Sequence, residues 1–343
     1  MGEYFDALCR EIRLRGETAD FPVDAIYVGG GTPSIAYRYF PMLQEAIRES
    51  FRIKKDAEIS MECNPESVTP AFIEAAKAFG VNRVSVGVQT FSDSLLRRIG
   101  RAHDRAGAIA ALDRLTESFS AVNADLMVGL PGQTKGDLDD SLDVLLDYPV
   151  NHISCYSLIL EDGTPLCAAH SRGEFALDDD LAVDLYDHAT SRLADRGFHR
   201  YEISNFCKGD AACRYNLSVW QYAHYLGLGL GAASFLGGGE GFPFLRTRNI
   251  NDLSVYLSDP LSLAEKEEIN RQEAEKEFIM LGLRMEEGLD LLRFRELFSA
   301  DFLPKYHDKI APYRECFSIS DRRFAIHSEN MYISNSLILA LIG

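Results

Sequence analysis

Short apolar runs alternate with longer stretches of helical periodicity through the first 160 residues of the chain. The short runs are rich in β-branched residues and apolar at most positions, which is typical of buried parallel strands. Repeated strand–helix units of this length indicate a parallel sheet, either open or closed into a barrel. The predicted strands cover 25–28, 58–63, 83–88, 124–128 and 152–158.

The stretches between these strands carry the signals of helix ends. A helix over 70–79 begins with Pro70 and is followed by Gly80, the usual asymmetry of helix termini. Thr134 begins another helix, and Asp137 follows three residues later as a variant of the capping box. The leucines of that helix then recur at helical spacing, at positions 138, 142, 145 and 146. A third helix is predicted over 179–196, stopped by Gly197.

The last third of the chain has a different pattern. A strand-like segment at 200–204 precedes a glycine-rich stretch at 227–241 that predicts a loop. Helices dominate afterwards, followed by a hairpin and a short terminal helix. The predicted helices cover 272–285, 289–298 and 303–313, and the hairpin strands cover 317–319 and 323–326. We predict a partial barrel over 1–235 and a helical, winged-helix-like domain over 236–343.

Polar residues stand where the predicted strands end. The first strand runs into the glycine turn 29–31, the second ends after Glu62, the third ends at Gln89, and the fourth carries Asp125. The carboxyl ends of parallel strands form the ligand-binding face in barrels and open α/β sheets. The sequence therefore predicts a site that combines a glycine turn, an amide and two carboxylates.

The chemistry of these side chains indicates a ligand. Glycines let the backbone approach a ligand closely, Glu62 suits an ammonium group, and Arg101 suits a carboxylate. Gln89 and Asp125 suit ribose hydroxyls, as carboxylates do in nucleoside sites. Together these groups describe S-adenosylmethionine (SAM) better than NAD or ATP. The alternative for 29–31 is a tight turn without a ligand, whereas an unpaired Asp125 inside an apolar strand would be costly.

Charge and cysteine content narrow the class of protein. The chain has 35 Lys and Arg against 52 Asp and Glu, a net charge of −17, which argues against binding to a nucleic-acid backbone. Its seven cysteines, an odd number without C-x2-C spacing, predict reduced thiols and a cytoplasmic location. A secretory signal pattern is absent, and the apolar runs are too short to span a membrane.

Five segments combine these features in a recognisable order. They read IYVGGGTPS at 26–34, ECNP at 62–65, GVQTF at 87–91, DLMVGLPGQT at 125–134 and YEISNF at 201–206. Together with 277–284 and 333–335, this order resembles radical SAM proteins of the coproporphyrinogen III oxidase (HemN) group, most closely its HemW branch of heme chaperones. The resemblance implies an incomplete parallel (β/α)6 barrel, with its first strand missing, followed by a helical domain.

The resemblance also implies cofactors, cargo and roles for the site residues. Heme or a porphyrinogen is the implied cargo, and a heme-acceptor protein is the implied partner. In this family a C-x3-C-x2-C motif ligates a [4Fe–4S] cluster whose open iron site binds SAM. By the resemblance, Gly30, Gly31, Thr32 and Glu62 hold the methionyl part of SAM, Gln89 and Asp125 hold the ribose, and Arg101 holds the carboxylate.

The cluster motif is not in this chain. Cys9 lies alone in a helical pattern and cannot replace three thiolates. One hypothesis is that the chain is truncated at its N-terminus, which also predicts an unpaired sheet edge. The other is a relative without a cluster. The retention of the SAM-pocket residues favours truncation.

A second departure from the family lies at 214–220. HemW proteins have Arg-His-Asn-x-x-Tyr-Trp, whereas this chain has a tyrosine, Tyr215, in place of the histidine and Val219 in place of the tyrosine. A tyrosinate can ligate heme iron, so Tyr215 is a candidate heme residue. A packed aromatic ring without iron contact is the alternative, and it is the one we favour.

Three functions follow from the resemblance. The first is a heme chaperone that binds SAM, carries a cluster in its complete form and transfers heme to an acceptor. The second is an oxygen-independent coproporphyrinogen III oxidase of porphyrin biosynthesis, which needs a further N-terminal segment for its substrate and a second SAM. The third is a catalytically inactive relative without a cluster. We favour the chaperone, and the sequence leaves open whether the protein is an enzyme.

Overall fold

The computed structural model describes residues 1–237 and 242–343, and a curled half-barrel sheet is its main feature. Five neighbouring strands run parallel, and two short strands extend the sheet antiparallel. In chain order the strands are β1 (Pro22–Val28), β2 (Arg52–Cys63), β3 (Arg83–Gln89), β4 (Ala121–Val128), β5 (His152–Ser157), β6 (His199–Arg200) and β7 (Asn205–Cys207). Their spatial order is β1-β2-β3-β4-β5-β7-β6. The predicted partial barrel is therefore confirmed.

Nine α-helices accompany this sheet in the described residues up to Trp220, and most of them cover its outer face. They are α1 (Gly2–Gly16), α2 (Phe40–Ser50), α3 (Pro70–Phe79), α4 (Asp93–Arg98), α5 (Arg105–Ser118), α6 (Lys135–Leu146), α7 (Pro165–Ser171), α8 (Asp179–Ala194) and α9 (Arg214–Trp220). The predicted bounds of α3 are confirmed, with Gly80 left-handed after its end. The Thr134–Asp137 capping box before α6 is also confirmed, because each side chain bonds the other residue's backbone.

The two faces of each parallel strand differ in polarity. Val84 and Val86 of β3, with Leu126 of β4, are fully buried in a core shared with the outer helices. The intervening positions, such as Ser85 and Asp125, carry polar side chains toward the inside of the half-barrel. This alternation explains why the strands appear apolar at most, but not all, positions.

A second hydrophobic core lies in the C-terminal part of the chain. Among the described residues it contains eight buried phenylalanines, namely Phe235, Phe244, Phe278, Phe294, Phe298, Phe302, Phe317 and Phe324. Two three-stranded antiparallel sheets contribute, formed by β8 (Ala233–Gly237), β9 (Phe244–Asn249) and β10 (Leu263–Ile269), and by β11 (Leu289–Asp290), β12 (Phe317–Ile319) and β13 (Arg323–Ile326). The helices are α10 (Leu253–Ser258), α11 (Arg271–Gly282), α12 (Leu291–Phe298), α13 (Phe302–Ile310) and α14 (Ser334–Ile342). The domain boundary near residue 235 stays a prediction.

Two predicted elements differ from the structure. The strand predicted at 200–204 is wrong, because the chain turns there between β6 and β7 and the buried Glu202 carboxylate accepts the Ser204 N–H and the Asn205 amide. The loop predicted over 227–241 contains β8, which pairs with β9; residues 238–241 lie outside the described part. The first difference depends on a buried carboxylate and the second on a pairing strand, and a local sequence pattern reveals neither.

Helix α1 joins the half-barrel to the C-terminal part through one buried carboxylate. Glu11 is fully buried and accepts hydrogen bonds from Gly229 N at 2.8 Å, Asn249 Nδ2 at 2.7 Å and the Tyr256 hydroxyl at 2.7 Å. Burial raises its pKa, an effect that these hydrogen bonds and Arg15 oppose. A buried carboxylate is tolerated here because several donors converge on it.

The described part of the chain contains no helix that is both long and apolar enough to cross a membrane. At the opposite edge of the sheet from β6, β1 pairs with β2 alone among the described residues. Helix α9 packs close to β1 on the inner side of the sheet, where its Tyr215 contacts Tyr27 of the strand.

Candidate functional site

The glycine turn after β1 packs closely against Glu62 at the end of β2. The Tyr27 hydroxyl donates to Glu62 Oε1 at 2.7 Å, and Gly30 N donates to Oε2 at 3.1 Å. Gly30 and Gly31 have φ of 81° and 76°, the left-handed region that glycine adopts without strain. A Cβ on Gly29 would lie 2.9 Å from the Glu62 carboxylate. Each oxygen of the Glu62 carboxylate thus accepts one hydrogen bond, from Tyr27 or from Gly30, and keeps a further lone pair for a cationic ligand.

Tyr27 acts as a hydrogen-bond donor in this arrangement. Burial raises the pKa of Tyr27, and the neighbouring Glu62 charge raises it further. The phenol therefore keeps its proton and donates a hydrogen bond to the Glu62 carboxylate. The pair forms because β1 and β2 run parallel in register, with Tyr27 opposite Ser60 and two residues from Glu62 along β2.

Thr32, Asn64 and Arg101 form a second group beside the turn. Asn64 Nδ2 donates to Thr32 Oγ1 at 3.0 Å, and Arg101 Nη1 donates to Asn64 Oδ1 at 3.3 Å. Asn64 is fixed in turn by a capping box with Ser67. The amide of Asn64 therefore orients the Arg101 guanidinium, which has further N–H groups for a ligand carboxylate.

Gly87 provides the space between Gln89 and Asn64. A Cβ on Gly87 would lie 2.9 Å from Gln89 Nε2 and 3.3 Å from Asn64 Oδ1. Gln89 itself has a positive φ of 67°, uncommon for a residue with a side chain, and its Oε1 accepts the Tyr156 hydroxyl at 3.2 Å. This strained backbone turns the Gln89 side chain into the interior at the place where β3 ends.

Asp125 lies deeper in the half-barrel, on β4. Asn123 Nδ2 donates to its Oδ1 at 2.7 Å, and Ser85 Oγ donates to the same atom at 3.3 Å. Burial raises the pKa of Asp125 to about 6; the Asn123 hydrogen bond opposes this rise and the Glu62 charge adds to it. Asp125 is thus an acceptor whose ionisation depends on its neighbours.

The structure brings the predicted residues to one rim. Gly30 and Glu62 bond directly, Thr32 and Arg101 meet through Asn64, and Gly87 separates the Arg101 group from Gln89. Ser85 lies opposite Glu62 in the sheet and its hydroxyl donates to Asp125, so the two carboxylates face one polar interior. Their role in binding SAM stays a prediction. The sequence does not mark Tyr27, Asn64, Gly87 and Tyr156 as site residues, because their roles depend on side chains across the rim; the one local signal is that Tyr27 and Gly87 lie two residues before Gly29 and Gln89.

Tyr215 lies one aromatic ring away from this rim. Its ring stacks on Tyr27, with centroids 4.6 Å apart and planes inclined by 23°, and Tyr27 in turn bonds Glu62. Burial raises the pKa of Tyr215, so the phenol keeps its proton. Iron ligation requires the phenolate. This geometry favours a packed ring, and a heme role for Tyr215 stays a prediction.

Comparison with protein families identifies two regions. Residues 6–145 match the model of the radical SAM superfamily, and residues 269–323 match that of the HemN C-terminal domain. Membership of the radical SAM superfamily implies SAM and a [4Fe–4S] cluster in general. The rim fits SAM, since it offers two carboxylates, a guanidinium and glycine cradles that a Cβ would fill.

The residues present do not fit the cluster. Among residues 1–237 and 242–343, no group of three or more His, Cys, Asp or Glu side chains is placed to hold a metal ion. Cys63 and Cys155 are buried in the outer core, and Cys207 and Cys213 contact His199 and Glu58 respectively.

Similar proteins agree with the family models. The chain is 35% identical over 316 residues to the heme chaperone HemW of Mycobacterium tuberculosis, covering 88% of this chain and 80% of that protein. It is 34% identical over 306 residues to the heme chaperone HemW of Bacillus subtilis, covering 86% and 78%. The solved coproporphyrinogen III oxidase (HemN) of Escherichia coli shares the fold, with a TM-score of 0.82 at 21% identity over 99% of this chain and 82% of that one. The chain belongs to the HemW family of radical SAM proteins.

Proposed function

We propose that this protein is a heme chaperone that binds SAM at the carboxyl ends of its parallel strands and passes heme to an acceptor protein. One observation carries the SAM part of the proposal: Glu62, Asp125 and Arg101, on three different segments, converge on one rim around a glycine turn. The heme part rests on relatives at 34–35% identity that are named heme chaperones.

Each group at the rim has a task in the proposed SAM complex. Glu62, already fixed by Tyr27 and Gly30, pairs with the ammonium, and Arg101 pairs with the carboxylate. Gln89 and Asp125 accept hydrogen bonds from the ribose hydroxyls. The main chain at Gly30 and Gly31, with Thr32, lines the methionyl part. Bound SAM supplies an adenosyl group activated by its sulfonium centre.

Heme is proposed to bind near α9, beside the rim. Tyr215, at the position of the family histidine, stacks on Tyr27 and so lies beside the SAM site. Arg214 and Leu217 of the same helix line a separate cavity of about 730 Å³ at the other end of the strands. In our proposal Tyr215 forms an aromatic wall rather than an iron ligand, because its ring is stacked on Tyr27.

The test of SAM binding is calorimetric titration of wild type and Glu62→Gln. The amide keeps the shape of the side chain but loses the charge that pairs with the ammonium, so we expect affinity to fall at least about tenfold. Glu74→Gln on the exposed surface of α3 is the matched control and should bind as wild type does. Equal binding by Glu62→Gln, or no binding by wild type, would contradict the proposal.

The test of heme handling is titration with hemin, followed by the Soret band. Wild type and Tyr215→Phe should give the same band position, because the ring packs and does not ligate iron. Transfer is then measured by mixing the heme-loaded protein with apomyoglobin and following the appearance of holomyoglobin. Absence of a Soret change in wild type would refute heme binding, and consumption of coproporphyrinogen III would favour the oxidase instead.

A further inference from the structure

A chain of hydrogen bonds runs through the interior of the half-barrel and ends on Asp125. Tyr201 bonds His152 Nε2 at 2.9 Å, His152 Nδ1 bonds Asn123 Oδ1 at 2.6 Å, and Asn123 Nδ2 bonds Asp125 Oδ1 at 2.7 Å. Tyr201, His152 and Asn123 are all buried. The chain crosses from the segment after β6, through β5, to β4.

The donors around Tyr201 determine where each proton lies. Cys213 N and Asn216 Nδ2 both approach the Tyr201 oxygen at 3.4 Å, and both are obligate donors. The single hydroxyl proton of Tyr201 therefore goes to His152 Nε2. His152 must then carry its own proton on Nδ1. One tautomer of His152 satisfies every contact.

The same logic orients the Asn123 amide. The His152 Nδ1–H faces the Asn123 oxygen, which also accepts the Ser154 hydroxyl at 3.2 Å, so the amide NH2 points to Asp125 and Ser85. A flipped amide would place donor against donor at His152 and acceptor against acceptor at Asp125. The proton on His152 Nδ1 thus decides which end of the Asn123 amide faces Asp125.

We propose that His152 is a positioning residue: in its neutral, Nδ1-protonated form it locks the Asn123 amide so that Asp125 stays available as an ionised acceptor for the ribose of SAM. The inference rests on the proposed function for the identity of the ligand, but not for the state of Asp125. Burial lowers the pKa of His152 well below its usual range, and Arg83 lowers it further, so the imidazole is neutral when Asp125 ionises.

Other ionisable groups lie close to His152 or Asp125, on either face of the sheet, and any pH profile includes them. Arg83 of β3 and Tyr201 face His152. The groups that act on or respond to Asp125 are Glu62 and Cys63 from β2, Tyr27 from β1 and Tyr156 from β5. Burial raises the pKa of both tyrosines and of Cys63, so these three groups stay uncharged beside Asp125 at neutral pH.

The test is carboxyl ¹³C NMR of the ligand-free protein labelled at aspartate, with Asp125 assigned by the resonance lost in Asp125→Asn. We expect the Asp125 midpoint near pH 6 in wild type. His152→Phe removes the donor that orients Asn123, and the midpoint should rise by about 1 pH unit, the effect of one hydrogen bond to a charged group. His152→Gln supplies both an N–H and a C=O and should restore most of the wild-type value.

Two further measurements make the result decisive. Imidazole ¹⁵N NMR should show His152 neutral with its proton on Nδ1, and the opposite tautomer would overturn the inference. If His152→Phe does not fold, Tyr201→Phe serves as the test variant, because it deletes only one hydroxyl. In Tyr201→Phe the Asp125 midpoint should rise by about half a pH unit. An unchanged midpoint in a folded His152→Phe or Tyr201→Phe variant, or an equal rise in His152→Gln, would also overturn it.

Titration with SAM over the same pH range separates this inference from the proposed function. If both hold, the pH midpoint of SAM affinity moves with the Asp125 midpoint in every variant. If wild type does not bind SAM while the NMR midpoints shift as expected, the proposed function fails and the positioning by His152 stands. If SAM binds and the Asp125 midpoint does not move in the variants, the proposed function stands and the positioning role of His152 fails.

Discussion

Replacing Glu11 with alanine tests whether α1 is held to the C-terminal part by one buried carboxylate. The change deletes the acceptor of three donors: Gly229 N, Asn249 Nδ2 and the Tyr256 hydroxyl, at 2.7–2.8 Å. Each buried donor left without an acceptor costs about 1–1.5 kcal/mol at the lower end of measured values. The three together predict that the free energy of unfolding falls by about 3–4 kcal/mol. Because Glu11 is fully buried, the surrounding structure can do little to fill the space that the side chain leaves.

Urea unfolding followed by circular dichroism measures this loss. With a slope of about 3 kcal/mol per M, the midpoint should fall by about 1 M or more. Glu11→Gln keeps the volume and one acceptor oxygen, and the Tyr256 hydroxyl can reverse to accept from the amide, so its loss should be about half. Glu3→Ala, exposed on the same helix, is the control and should change stability by less than about 0.5 kcal/mol. A loss below about 1 kcal/mol for Glu11→Ala would refute the reasoning.

Three further predictions concern the rim. Gly87→Ala should weaken SAM binding at least about fivefold in calorimetry, because its Cβ would lie 2.9 Å from Gln89 Nε2. Tyr215→His restores the family residue and should change the Soret band of bound heme toward that of an imidazole complex. Asp125→Asn should flatten the pH dependence of stability between about pH 4 and 6. The raised pKa of Asp125 makes the folded state bind its proton more tightly, so stability falls by about 3 kcal/mol as pH rises through that window and the carboxylate ionises.

Each of these predictions has its own contrary outcome. Wild-type affinity in Gly87→Ala would mean that Gln89 is not needed in its present position. An identical Soret band in wild type and Tyr215→His would remove position 215 from the heme site. An unchanged slope of stability against pH in Asp125→Asn would mean that another group titrates in that window, with Glu62 as its neighbour the first to examine.

The positions of the parallel strands and of the rim were predictable because both depend on local pattern. Apolar runs of strand length alternate with helical segments, and the glycine turn, Glu62 and Gln89 lie where runs end. Parallel strands always bring their carboxyl ends to one edge, so the convergence of these residues followed from topology alone. The helix signals at Pro70 and Thr134 were equally local.

The failures have a common physical origin. The predicted strand at 200–204 turns instead, because Glu202 is buried and binds the backbone of its own turn. The strand β8 forms within a glycine-rich stretch because β9 pairs with it, and a pairing partner is not visible in a local window. Tyr27 and Asn64 were missed because their importance depends on what lies across the rim from them.

By itself, the sequence determined the kinds of groups that reach the rim and the order in which the strands present them. Only the tertiary structure decided their states: that the Asn123 oxygen faces His152 and its NH2 faces Asp125, that burial lowers the pKa of His152, and that Glu11 has three donors. Periodicity reports which face of an element is apolar, whereas protonation and hydrogen-bond direction depend on burial and on partners brought together from distant parts of the chain.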